Sequence, residues 1–275
     1  MKNIPVSIQV SLDTSGKNQR WKQQLQQYRL LGYSLIELPF EAFKQITPEV
    51  LAVELERNHL SISAIKVIED FSIEEKAIEV ITQLYQRLPK FPVRIVEKLQ
   101  VIIEVQEADE ELRVDLKAGY WHNLLNNLQL LSGFMSSVFS IETLIQPGRE
   151  GLTAGKNYFS QLIQENHQLG LWMDTENVAY QQLDPLKVLQ EWRGMIRSLH
   201  LRDVTEEIFS KGAAKREVET FLGEGVIDFG ILYDELADNG LIQYVSVKPI
   251  LPETAPDYWN ECRGTLHYLR EVGFN

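Results

Sequence analysis

The sequence predicts an α/β fold, a single (β/α)8 TIM barrel spanning residues 1–275, and three observations lead there. Short apolar runs rich in β-branched residues alternate with helix-like stretches along the chain. Several of these runs end in a charged side chain, as strands of a barrel with a polar mouth do. The alternation supplies about eight units of roughly 30 residues, and its first turn, SLDTSG, is no Gly-rich dinucleotide fingerprint of an open doubly wound sheet.

In order, IPVSIQVSL reads as the first strand, and NQRWKQQLQQYRLLG as a helix closed by Gly32. YSLIELPF is the second strand, with Glu37 near its end. TPEVLAVELERNHL follows as a helix with Thr47 as cap and Pro48 in its first turn. SISAIKVI is the third strand and SIEEKAIEVITQLYQRL the next helix. Between about 89 and 133, a strand at VRIV, a strand at LQVIIEV and one helix over both compete; a strand near Leu99–Val105 is chosen. YWHNLLNNLQLLSGF has helical spacing, and SSVFSIETLI reads as the fifth strand, ending near Glu142. Helix NYFSQLIQENHQLG, strand LWMDT, helix DPLKVLQEWRGM, strand RSLHLRD, helix DFGILYDELADNG, strand YVSVKP and helix APDYWNECRGTLHYLREVG complete eight strands and eight helices. No Pro/Gly/Ser-rich linker divides the chain, so one domain is expected.

Composition narrows the function classes. Hydrophobic residues are 44% and charged residues 24% of the chain, the balance of an ordinary globular protein. A formal net charge of -12 disfavours a polyanion-binding surface, so no nucleic-acid partner is expected. No run approaches the ~18 apolar residues of a membrane span. The start lacks a long apolar stretch and Cys262 is the sole cysteine, so no membrane partner and a cytoplasmic location are expected.

With these strands, Glu37, Glu142, Asp174, His200 and Lys248 fall at or near carboxyl ends and face the barrel mouth. Glu142, Asp174 and His200 make a two-carboxylate, one-imidazole set of the kind that holds Zn²⁺, Mn²⁺, Co²⁺ or Fe²⁺. Ligands from different strands have no fixed sequence interval, so spacing adds nothing to this set. His59, His122, His167 and His267 fall in helices or at their edges and are left out of the site.

The order of SIETL, MDTEN, HLRD, GEGVIDF and VSVKP resembles the second half of the xylose-isomerase-like TIM barrels, the sugar phosphate isomerase/epimerase group. The match runs from about Ser140 to the C-terminus, and GYSLIELPF is similar to an early strand of that group. The resemblance implies an isomerase or epimerase in which a divalent metal (Mn, Zn, Co or Mg) binds adjacent oxygens of an open-chain sugar. Two carboxylates then move a proton through an enediolate. It assigns Glu142 as first ligand and base, Asp174 as second ligand and His200 as third. Lys248 stands where the fourth ligand, a glutamate, is expected, and Asn177 stands where the pattern D-x-x-H has histidine. Both departures weaken the implied metal site and its two-base chemistry.

Each remaining candidate carries two readings. Lys248 either neutralises Glu142 and Asp174 as an ion-pair network or meets substrate, as an anion contact or a Schiff-base amine. Asp203 and Glu224 are substrate contacts or, respectively, a helix cap and a solvated loop residue. Glu176 and Asn177 bind sugar hydroxyls or order their loop. Arg149 and Lys66 are anion contacts by location. Two functions follow: a sugar or sugar phosphate isomerase/epimerase, or a non-catalytic barrel that binds a small polyol or anion. A repair nuclease similar to endonuclease IV needs a larger set of metal ligands than five scattered histidines and an acidic chain provide. A symmetric homo-oligomer suits barrels of this kind.

Overall fold

The computed structural model describes residues 3–12, 20–105, 110–147, 168–209 and 218–275. Eight parallel strands close into a barrel: β1 (Val6–Gln9), β2 (Leu35–Pro39), β3 (Ser61–Glu69), β4 (Gln100–Val105), β5 (Glu142–Gln146), β6 (Leu169–Asp174), β7 (Ile196–Leu201) and β10 (Val245–Val247). Each strand pairs with its neighbours in the chain, and β10 closes the ring by pairing Val6 with Val245. Between β7 and β10, strands β8 (Asp203–Val204) and β9 (Glu219–Thr220) form a small antiparallel ribbon.

The described helices are α1 (Arg20–Leu31), α2 (Phe40–Gln45), α3 (Pro48–Arg57), α4 (Glu74–Arg87), α5 (Val93–Val96), α6 (Glu110–Phe134), α7 (Thr175–Tyr180), α8 (Pro185–Glu191), α9 (Phe229–Ala237) and α10 (Tyr258–Glu271). The simple one-strand, one-helix rhythm is elaborated, since α2 and α3 both lie between β2 and β3. Most of the expected helix NYFSQLIQENHQLG lies outside the described residues, and its closing Leu169 and Gly170 belong to β6. None of the described helices is long and apolar enough to cross a membrane.

Local chemistry explains the boundaries. Gly32 ends α1 in the left-handed region at φ 105°, open to glycine at no steric cost. Asp184 and Asp228 cap α8 and α9, accepting from the N–H groups of Leu186 and Ile231. VRIV forms the short helix α5 behind Pro92, which favours a helix start, and the chosen strand falls at Gln100–Val105.

The fifth strand differs from expectation. Residues Met135–Phe139 extend α6 as a π-helical turn, which Ser140 terminates in the left-handed region at φ 56°. SSVF therefore belongs to the helix, and Glu142 begins β5 where the sequence placed its end. β-Branched and aromatic composition alone cannot separate a strand from a helix end continued from a strongly periodic segment.

The barrel encloses layers of inward side chains, read off every second residue. A central apolar layer contains Leu35, Ala64, Ile102, Leu144, Trp172 and Tyr244, distinct from the larger core between barrel and helices. On the amino-terminal side of this layer stand Gln100 and Glu142, the first residues of β4 and β5. On the carboxyl side stand Glu37, Lys66, Gln146, Asp174, His200 and Ser246.

Candidate functional site at the barrel mouth

Asp174 closes β6 and organises the mouth. Its Oδ1 accepts the backbone N–H groups of Glu176 and Asn177, capping α7, at 3.0 and 3.1 Å. Its Oδ2 meets His200 Nδ1 at 3.2 Å and Arg202 Nη1 at 3.6 Å, and accepts from Gln146 Nε2 at 3.4 Å. Burial pushes this carboxyl up, but Arg202 and His200, with the capped N–H groups, outweigh it and hold it well below the usual carboxylate range.

His200 is buried against Trp172, whose ring stacks on it at 4.9 Å and 12°. Burial is the main reason its pKa falls to about 4. Arg202 and Lys66 add to the fall, and Asp174 opposes it. The imidazole is therefore neutral at pH 7, and the carboxylate at Nδ1 assigns the proton to that nitrogen. Nε2 is left as a buried lone pair without a hydrogen-bond partner among the described residues.

Among the described residues, three cations share the mouth. Lys66 pairs with Glu104 at 2.7 Å and lies 4.9 Å from the Trp172 ring centroid. Arg202 pairs with Glu176 and with Glu219 of β9, donating to the latter from Nε at 3.1 Å and from Nη2 at 2.5 Å. Its pKa rises because these carboxylates, led by Asp174, outweigh the desolvation of the guanidinium. Lys248 follows β10 at the exposed rim. Partial desolvation, then the charges of Arg202 and Lys66, lower its pKa despite Glu219 and Glu104.

Glu37 ends no exposed strand tip; it is 0% exposed. Its Oε2 accepts from Ser246 Oγ at 3.0 Å and its Oε1 has no partner among the described residues. Burial pushes the carboxyl up to about 7, against the pull of Lys66 and Ser246.

The structure corrects the expected ligand set. Glu142 lies at the amino-terminal end of β5, on the far side of the apolar layer from Asp174 and His200. There it accepts from Gln100 Nε2 and Arg197 Nε, both at 2.9 Å. Gly170 makes room for this arrangement, since a Cβ there would overlap Arg197 and Leu144 side chains at 2.7 Å. Gln146 occupies the carboxyl end of β5 in its place.

Other candidates are reassigned by their bonds. Asp203 accepts four backbone N–H groups, from Val204, Gly223, Gly225 and Ile227, between 2.9 and 3.1 Å. It is the anchor of the loop after β9, not a free substrate contact, and Gly225 lies so close that a Cβ would overlap the carboxylate. Asn177 Nδ2 donates to the Pro147 carbonyl at 3.0 Å, fixing the link between β5 and α7. Glu224 is exposed and lines a separate groove with Phe221, Leu251 and Glu261. Lys248 makes no ion pair with Glu142 or Asp174. Arg149 lies outside the described residues.

Sequence reasoning missed Gln146 and Arg202. For Gln146 the available signal was the two-residue period Glu142, Leu144, Gln146 before a strand-ending Pro147. For Arg202 it was the position two residues beyond His200 on the same inward face.

No family model and no curated protein matches the chain. Solved structures do. The 3-keto-D-glucoside 4-epimerase of E. coli matches with a TM-score of 0.73 at 13% identity, covering 98% of this chain and 100% of its own. D-psicose 3-epimerase from Clostridium cellulolyticum, solved with D-tagatose, matches at 0.73 and 11% identity over 99% and 100%. A xylose isomerase domain protein from Alicyclobacillus acidocaldarius matches at 0.70 and 13% identity over 98% of each chain. The chain thus has the xylose isomerase-like TIM barrel fold, and its structural neighbours include sugar epimerases.

A divalent metal does not fit the residues found at the mouth. Among the described residues no three His, Cys, Asp or Glu side chains converge to hold one. Of four strand-end positions, Gln146 offers a neutral amide and Lys248 an amine, and the carboxylate of Asp174 is already matched by Arg202.

Proposed function

We propose that the barrel mouth binds a small sugar and does so without a resident divalent metal. The carrying observation is a group of buried acceptors that lack partners among the described residues: Glu37 Oε1, Gln146 Oε1 and His200 Nε2. All three belong to side chains on the carboxyl side of the apolar layer, and His200 stacks on Trp172, over which Lys66 lies. A buried acceptor left unpaired costs about 1–3 kcal/mol, and donated hydroxyl protons of a polyol relieve that cost. The sugar epimerases among the structural neighbours support a ligand of this class.

The test is calorimetric titration of a panel of ketoses, aldoses and their reduced polyols in the presence of EDTA. Saturable binding that EDTA leaves intact, and that His200→Ala or Gln146→Ala weakens, supports the reading. Binding that appears only when metal is restored contradicts it.

A catalytic reading, sugar isomerisation or epimerisation, is favoured by Glu37. A carboxyl pushed up to about 7 is able both to take and to return a proton near neutral pH. Deuterium from solvent should then enter a bound ketose, and Glu37→Gln, which keeps the Oε1 acceptor but cannot titrate, should abolish that exchange in the sugar it still binds. No exchange across the sugars that bind leaves a binding protein.

A further inference from the structure

We propose that Lys248 captures the carbonyl group of an open-chain sugar as a protonated imine, an inference that rests on the mouth being a sugar site. Lys248 directly follows β10, two residues beyond Ser246 and so on the same inward face, and Ser246 pairs in register with His200. It is therefore at the lip of the same mouth. Of the three cations there, Lys66 is committed to Glu104, and Arg202 to Glu176 and Glu219. Lys248 alone of the three has no carboxylate within ion-pair distance among the described residues, and the charges of the other two act on it.

An amine so placed gains little from holding its proton. Titratable and charged groups bear on it from several elements: Arg202 beyond β7, Lys66 of β3, Glu219 of β9 and Glu104 of β4. Desolvation, then the charges of Arg202 and Lys66, lower its pKa, and Glu219 and Glu104 oppose them. The free amine is the nucleophile.

The step balances without a metal or redox partner. The nitrogen lone pair attacks the carbonyl carbon and the carbonyl π pair moves to oxygen, giving a carbinolamine after proton transfer. Expulsion of that oxygen as water leaves the iminium. The positive nitrogen then serves as the electron sink for charge developing on the adjacent carbon. Hydrolysis reverses the sequence and restores both lysine and sugar.

The experiment uses the full chain with glyceraldehyde as the carbonyl probe and cyanoborohydride as the trap at pH 7, followed by peptide mass mapping. Lys248 should be alkylated severalfold faster than the exposed Lys187, because only Lys248 stands at the mouth that holds the carbonyl compound. Lys248→Arg keeps the charge and should remove the label from this site. Labelling of Lys248 at or below the rate of Lys187 overturns the proposal, and this comparison needs no variant to fold. Xylitol, which has no carbonyl, separates the two readings: if xylitol binds but Lys248 is not preferentially labelled, the imine falls and the sugar site stands. If Lys248 is preferentially labelled, xylitol in excess should protect it, and labelling that xylitol leaves unchanged overturns capture within the sugar site.

Discussion

Glu142 and Asp174 stand at opposite ends of adjacent parallel strands: Glu142 opens β5, Asp174 closes β6, and the Leu144 and Trp172 layer separates them. Two carboxylates on opposite faces of a packed barrel core cannot share a ligand. Glu142 should therefore matter for folding and not for the mouth. Glu142→Ala leaves Arg197 and Gln100 without their acceptor, at a cost of about 1–3 kcal/mol. Denaturant unfolding should show that loss, and sugar titration should show an unchanged affinity.

Asp174 predicts the reverse distribution of effects. Asp174→Asn removes the charge that Arg202 faces and the acceptor that orients His200. Removing one partner of a buried charge pair costs about 3–5 kcal/mol. The variant should lose stability in thermal melts and also lose sugar binding, because Nε2 of His200 is no longer held in place or in one tautomer.

Glu37 gives a pH dependence of defined sign. Its folded pKa, about 7, lies above the 4.5 of an unperturbed glutamate, so the folded state binds the extra proton between those values. The stabilisation is full below 4.5 and is lost as pH rises through 7. Glu37→Gln, which keeps the hydrogen-bonding shape without titrating, should flatten this part of the stability curve. The difference from wild type across the window should be of order 1–3 kcal/mol. Chemical denaturation at a series of pH values measures it.

Asp203 anchors a loop through four N–H donors, one of them Gly223 at φ 89°. Asp203→Ala should release residues 221–227 to proteolysis at an increased rate while the barrel strands stay protected in hydrogen exchange. Because the loop follows β9, whose Glu219 holds Arg202, sugar affinity should fall as well. Unchanged cleavage would contradict the anchoring role.

The strands were legible because parallel barrel strands, buried on both faces, read as apolar β-branched runs bounded by turn residues. IPVSIQVSL, SISAIKVI and LWMDT all fall where the chain forms β1, β3 and β6. The site was less legible, for a physical reason seen at Ser140. Met135–Phe139 are helical up to the left-handed Ser140, so β5 starts at Glu142 and Gln146 takes the carboxyl end where Glu142 was expected. Asp174 and His200 do lie at the carboxyl ends of β6 and β7, because Asp174 caps the helix that follows it and His200 is the next-to-last residue of its strand. The commitment of Asp203 to its loop needed the fold, since its four donors include three that lie 20 to 24 residues away.

Elemental analysis of the purified chain after exhaustive dialysis tests the central proposal of a metal-free mouth most directly, with the Gln146→Glu/Lys248→Glu double variant as comparison. The account predicts far less than stoichiometric Mn, Zn, Co or Mg in the wild-type chain and a gain of metal in the variant, whose strand ends then offer two more carboxylates beside Asp174 and His200. Tight, stoichiometric metal in the wild-type chain, lost on His200→Ala, would contradict it.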